Sequence, residues 1–187
     1  MPPATFLRRK GYQNLIFYKK TVCLYDLTYY FATTYLSKGD RTVDQMIQAA
    51  RSGKQNIIEG TEAAMTSTET EIKLNNVARA SLAELLADYH DYLRVHNLSL
   101  WDTSHPRYNA LVNYCFIHND TTDYNRYYAK WSDEEMANTA ITLIHQVDTA
   151  MNKYIAKLEQ DFIANGGLRE KMTQVRLAAR QNNNPKK

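Results

Sequence analysis

Three carboxylates, Glu84, Asp88 and Asp91, recur in steps of four and three, which puts them on one face of a helix. An acidic row of this kind is a candidate cation site. Carboxylate bundles that hold two metal ions, however, need a Glu-x-x-His motif on two helices. Here Glu84 is followed by Leu85, Leu86 and Ala87, and the motif occurs nowhere in the chain. A solvated face, or a face paired with basic residues, is the commoner use of such a row. The five histidines, His90, His96, His105, His118 and His145, show no ligand spacing to a second His or Cys. A lone histidine such as His145 on a helix is more often structural than catalytic. Cys23 and Cys115 lie far apart and follow no metal or redox pattern, which predicts a reduced, cytoplasmic setting. Six scattered glycines include no phosphate-binding loop, and Gly166-Gly167 precedes no Lys-Ser pair. No Ser, His and Asp arrangement is recognisable, although triads form in space and not along a sequence. The expectation is a non-enzymatic protein with no cofactor and no metal. An enzyme with an unrecognised site stands well behind.

Charge and aromatic content suggest binding instead. The net charge of +3 is unevenly placed: residues 1–20 carry five Lys or Arg and no acid, and residues 166–187 carry a net +5. The body between them, 21–165, is acidic at −7. Basic ends suit nucleic-acid phosphates, and charge alone nominates Arg8, Arg9, Lys10, Lys19, Lys20, Arg169, Lys171, Arg176 and Arg180 as contacts. Solvated tails are the commoner explanation for such short runs. Residues 97–131 form an aromatic-rich stretch in which Trp101, Tyr108, Tyr114, Phe116, Tyr124, Tyr127, Tyr128 and Trp131 alternate with Arg107, Arg126 and Lys130. These rings would stack on bases or, more simply, form a small satellite core over one end of the fold.

The elements that must position these residues are helices. Residues 40–60 read as one helix, with Thr42 and Gln45 as a capping box and Gly60 as a left-handed terminator. Val43, Met46, Ala50, Gly53 and Ile57 give its apolar stripe. Gly53 sacrifices roughly 1 kcal/mol of helix propensity, which close packing of a neighbouring helix would offset. A first helix over 13–36 carries a main stripe of Leu15, Tyr18, Val22, Tyr25, Tyr29, Ala32 and Leu36. A second set on another face, Phe17, Leu24 and Phe31, implies either a buried helix or a second contact surface, of which a subunit interface is favoured. A third helix starts at Ser67 or Thr68 and runs to Val95 or His96. Short helices are expected at 106–116 and 122–130. Ser132 and Glu135 form a capping box that opens a fourth long helix, ended near Asn165 by Gly166-Gly167. A basic helical tail follows over 168–181. The fold class is therefore all-α: an up-down-up-down four-helix bundle with a helical insertion before helix four and a C-terminal helical tail. Residues 1–165 form the domain, with the insertion at 97–131, and 166–187 a basic, partly disordered suffix.

The segment RSGKQNIIEG and the later VARASLAELLADYHDYL carry a further signal. Gln45, Ala49-Ala50, Ser52, Asn56-Ile57, Glu59-Gly60, Ser67, Glu71, Ala78, Ser81-Leu82 and Glu84-Leu85 follow one another in order and spacing like the large-subunit ribosomal RNA intervening-sequence (S23-like) proteins. The chain resembles that family of four-helix bundles, to which accessory variability proteins of diversity-generating retroelements are related. Gly53 departs from the pattern, where an aliphatic residue is usual. The resemblance implies a homo-oligomer, a pentamer in characterised relatives, that binds RNA or DNA and a reverse transcriptase or other protein partner. Asn56, Glu59 and Gly60 are its motif residues near the end of helix two. Asn56 would satisfy a helix-end carbonyl, and Glu59 would pair with Lys73 or Arg79. The functional expectation is a scaffold or adaptor that binds nucleic acid or a nucleoprotein partner. The alternative is a protein–protein interaction module without nucleic-acid binding. No apolar run approaches the ~20 residues of a membrane span, and the first residues, MPPATFLRRKGYQ, lack the apolar core of a signal peptide.

Overall fold

A computed structural model describes residues 11–182. They are all-helical, with a 3-10 turn at Tyr12–Asn14 and seven α-helices among the described residues: α1 (Ile16–Tyr35), α2 (Arg41–Ala63), α3 (Thr68–Val95), α4 (Tyr108–Ile117), α5 (Thr121–Asn125), α6 (Asp133–Asn165) and α7 (Leu168–Asn182). Four are long. Among these, α1 packs on α2 and α6, and α3 packs on the same two.

Local chemistry sets the helix ends. Asp40, not Thr42, caps α2: its carboxylate accepts from the Thr42 N–H at 2.8 Å. Aspartate is the stronger capping residue, and it follows the left-handed Gly39 (φ 87°) that turns the chain. Ser67 caps α3, accepting from Thr70 N at 3.1 Å. The expected Ser132–Glu135 box opens α6, with Glu135 N donating to Ser132 Oγ at 3.2 Å and Ser132 N to Glu135 Oε2 at 2.8 Å. At the other end Gly166 adopts φ 67° and donates to Phe162 O at 2.9 Å. Gly60 does not terminate α2 as expected. It lies buried inside the helix, where a Cβ would meet Asn75 Nδ2 at 3.0 Å and Leu74 Cβ at 3.3 Å. Its missing side chain admits α3, and α2 runs on to Ala63.

The same seam uses Gly53, whose Cβ would sit 2.6 Å from Leu82 Cδ2. A polar ladder runs beside it. The Ser52 and Ser81 hydroxyls lie 2.9 Å apart, and Asn56 Nδ2 donates to Ser52 O at 2.9 Å and to Ser52 Oγ at 3.2 Å. Asn56 therefore bonds back one turn within its own helix and does not cap the end of α2. Glu59 is exposed and accepts from Gln55 at 3.3 Å. Its expected partner Arg79 instead meets Asp148 on α6 at 2.7 Å.

On α1 the face of Phe17, Leu24 and Phe31 is the more deeply buried, while the main stripe joins the core only in part, with Ala32 buried and Leu15 and Leu36 packed against it. Phe17, Thr21, Leu24, Thr28 and Phe31 are buried in the chain's own core, whereas Tyr18, Val22 and Tyr25 are half-buried and Tyr29 is exposed. The threonines tolerate burial because their hydroxyls are bonded. Thr21 donates to Tyr18 O at 2.7 Å, and Thr28 accepts from Tyr89 at 3.0 Å.

Candidate functional site

Residues 97–131 lie against α1 and α6 through a small set of polar ties. Asn138, buried on α6, acts like a second backbone. Its Oδ1 accepts from Trp101 N at 2.7 Å, and its Nδ2 donates to Ser99 O at 2.9 Å and to Glu134 O at 2.8 Å. Glu134, one turn earlier, accepts from the Trp101 indole at 2.8 Å and from Ser99 N at 3.0 Å. These bonds hold its carboxyl below the usual range. Arg107 covers the Trp101 ring at 4.4 Å and pairs with Glu135. Gln146 Nε2 donates to Val112 O at 3.0 Å and so ties α4 to α6.

The last tie comes from α1. Lys20 is only 3% exposed, and its ammonium donates to the Cys115 carbonyl in the last turn of α4. Carbonyls there lack an intrahelical donor, and a cation is favoured at that end of the helix. Burial lowers the Lys20 pKa, opposed by Cys115 and Cys23. Lys20 is thus an internal anchor and is withdrawn from any phosphate, contrary to the expectation from charge.

These ties frame a cleft of about 610 Å³ between α4 and the long helices α1, α3 and α6. Trp101, Tyr108, Val112, Phe116 and Ile141 make it largely apolar. Its ionisable lining consists of Lys20, His90, Tyr108, His145 and Lys153, with no carboxylate. Burial lowers the pKa of His90, the facing His145 lowers it further, and Asp91 opposes both. The two thiols are not nucleophiles at neutral pH, because burial pushes Cys23 and Cys115 up to about 12.

The remaining nominated residues do not converge. Arg8, Arg9 and Lys10 lie outside the described residues. Lys19 is exposed and sits beside Asp120 in a separate groove. Arg176 and Arg180 are exposed on α7; for Arg169 and Lys171 only the backbone, also in α7, is described. Asn56 and Gly60 belong to the α2–α3 seam and Glu59 to the surface of α2. In the acidic row, burial raises the Asp88 pKa, as does repulsion from Asp91 and Glu84. Among the described residues no three His, Cys, Asp or Glu side chains group as metal ligands do. No helix there is long and apolar enough to cross a membrane.

Of the aromatic stretch, Trp101, Tyr124 and Tyr128 are buried, as the satellite-core reading requires, while Phe116 remains 71% exposed. Sequence reasoning missed the cleft residues Asn138 and Gln146, and it misread Lys20. One signal was present. Lys20 lies three residues after Phe17 and four before Leu24, so it shares the apolar face on which those two fall. Comparison with protein-family models, with curated proteins and with solved structures gives no match.

Proposed function

We propose that this chain is a non-enzymatic adaptor: an up-down-up-down bundle of α1, α2, α3 and α6 that assembles with copies of itself and offers α7 to nucleic acid or a nucleoprotein. The observation that carries this reading is α7. It leaves Met172, Val175 and Leu177 exposed together with Arg176 and Arg180. A helix with exposed apolar and cationic side chains suits a partner that combines charge with apolar surface. The half-exposed aromatic face of α1, with Tyr18, Val22, Tyr25 and Tyr29, is the surface for self-assembly. The resemblance to the intervening-sequence proteins supports the same reading, since the motif positions Ser52, Asn56, Gly60, Ser81 and Leu82 all fall at the α2–α3 seam. They are therefore bundle-forming residues, and function is carried elsewhere on the surface.

The test is anisotropy of a labelled structured RNA and a duplex DNA across a salt series, with the native mass measured in parallel. Binding that weakens steeply with salt is expected. Arg176→Glu with Arg180→Glu should lower the log–log salt slope by ~2. Absence of binding to both probes at low salt would overturn the nucleic-acid reading. The exposed apolar residues of α7 would then favour the protein-interaction module.

A further inference from the structure

The cleft beneath α4 has three properties that the adaptor reading leaves unused. It has the size and apolar lining of a small-molecule site. Its lining holds two lysines, two histidines and the Tyr108 phenol, so an anion entering it meets no opposing carboxylate. Apolar surface is also exposed at the same place, through Ile16, Leu100 and Phe116. A protein rarely leaves such groups in water around a concave site unless something covers them.

We infer that the cleft binds an amphiphilic organic monoanion, with an apolar body over Trp101, Val112 and Phe116 and a single anionic head held by the exposed His145 and Lys153 side chains. The charge of the lining excludes amines, and its apolar area disfavours sugars and polyanions. A medium-chain or two-ring carboxylate fits the volume.

Anilinonaphthalenesulfonate has this chemistry: an apolar aromatic body and one anionic group. Titrated into the native full-length chain, it should fluoresce with one-to-one stoichiometry. Decanoate should displace it at least tenfold more effectively than decanol, a difference of about 1.4 kcal/mol. Thr149→Trp, an exposed position in the lining, should block uptake. His145→Glu, also exposed there, should weaken it by about tenfold and guards against a filled variant that fails to fold. The inference is overturned if decanol competes as well as decanoate. It is also overturned if a folded Thr149→Trp protein, or the His145→Glu protein, takes up the dye as the unaltered chain does.

Discussion

Gly53→Ala probes the α2–α3 seam directly. The added Cβ would lie 2.6 Å from Leu82 Cδ2 and 2.8 Å from Leu82 Cγ, about 1 Å inside ordinary carbon contact. Because Cγ is involved, rotating the terminal methyls does not clear the overlap. Leu82 must leave its rotamer or the helices must part, and Leu82 is 2% exposed within the core. Alanine recovers roughly 1 kcal/mol of helix propensity, while overpacking costs ~1–3 kcal/mol. The balance is a loss of ~0–2 kcal/mol, with a melting shift of roughly 2–4 °C per kcal/mol for a chain this long. Denaturant titration followed by far-ultraviolet circular dichroism measures it. Leu82→Ala alone should cost ~2–5 kcal/mol. With Gly53→Ala added, the new methyl enters the vacated space, and the pair should fall short of additivity by ~1 kcal/mol. A Gly53→Ala protein stabilised by the full propensity gain, with an additive double variant, would refute the claim that glycine is needed for close approach.

Asn138→Ala removes the bonds to Trp101 N, Ser99 O and Glu134 O. It should cost about 2–4 kcal/mol and red-shift Trp101 emission; an unchanged spectrum and midpoint would show that the tie is dispensable. Glu134, whose folded pKa is depressed, contributes stability above the unfolded value near 4.5 that is lost as pH falls through the folded pKa. Glu134→Gln should therefore flatten the acid limb of the tryptophan signal, and a limb unchanged in the variant would contradict the assignment. His90 runs through a different window. Its pKa is lowered by burial and by His145 against the opposing Asp91, so the folded state disfavours the cation, and stability declines as pH drops below about 6.5. His90→Gln should lessen that decline in denaturant midpoints taken from pH 8 to pH 5, at about those limits, and an identical decline would sink the claim. Lys20→Met exchanges a charge-assisted bond of ~1.5–3 kcal/mol for relief from burying an ammonium. Its expected signature is faster amide exchange in α4 with little change in α2 and α3, and a uniform change would refute the anchoring role.

Where a structural decision was made by adjacent residues, it was legible. Ser132 with Glu135, and Gly166 after Asn165, act within one helical turn, and both ends of α6 fall where they predict. The face of α1 was not legible, because the inward stripe contains Thr21 and Thr28, which read as polar, while the outward one is rich in tyrosines, which read as apolar. Burial of those threonines depends on bonds to Tyr18 O and to Tyr89 of α3, and the second is invisible along the chain. Charge misled in the same way at Lys20, whose meaning comes from the Cys115 carbonyl. The cleft was beyond reach of sequence reading altogether. Its walls come from α1, α3, α4, α6 and the segment before α4, and no spacing rule connects them.

The bond from Lys20 to Cys115 spans 95 residues of chain, and that from Gln146 to Val112 spans 34. With 10 residues, α4 is shorter than the ~12–15 that a helix needs to persist alone in water, so it forms when its distant anchors are already in place. In the native state α4 is the shortest helix around the cleft, and short, locally anchored units are the ones that open without global unfolding. Fluctuations that release α4 would unroof the cleft without disturbing the α2–α3 seam, at the cost of the Lys20 and Gln146 bonds and of exposing Cys115, which is fully buried in the closed form.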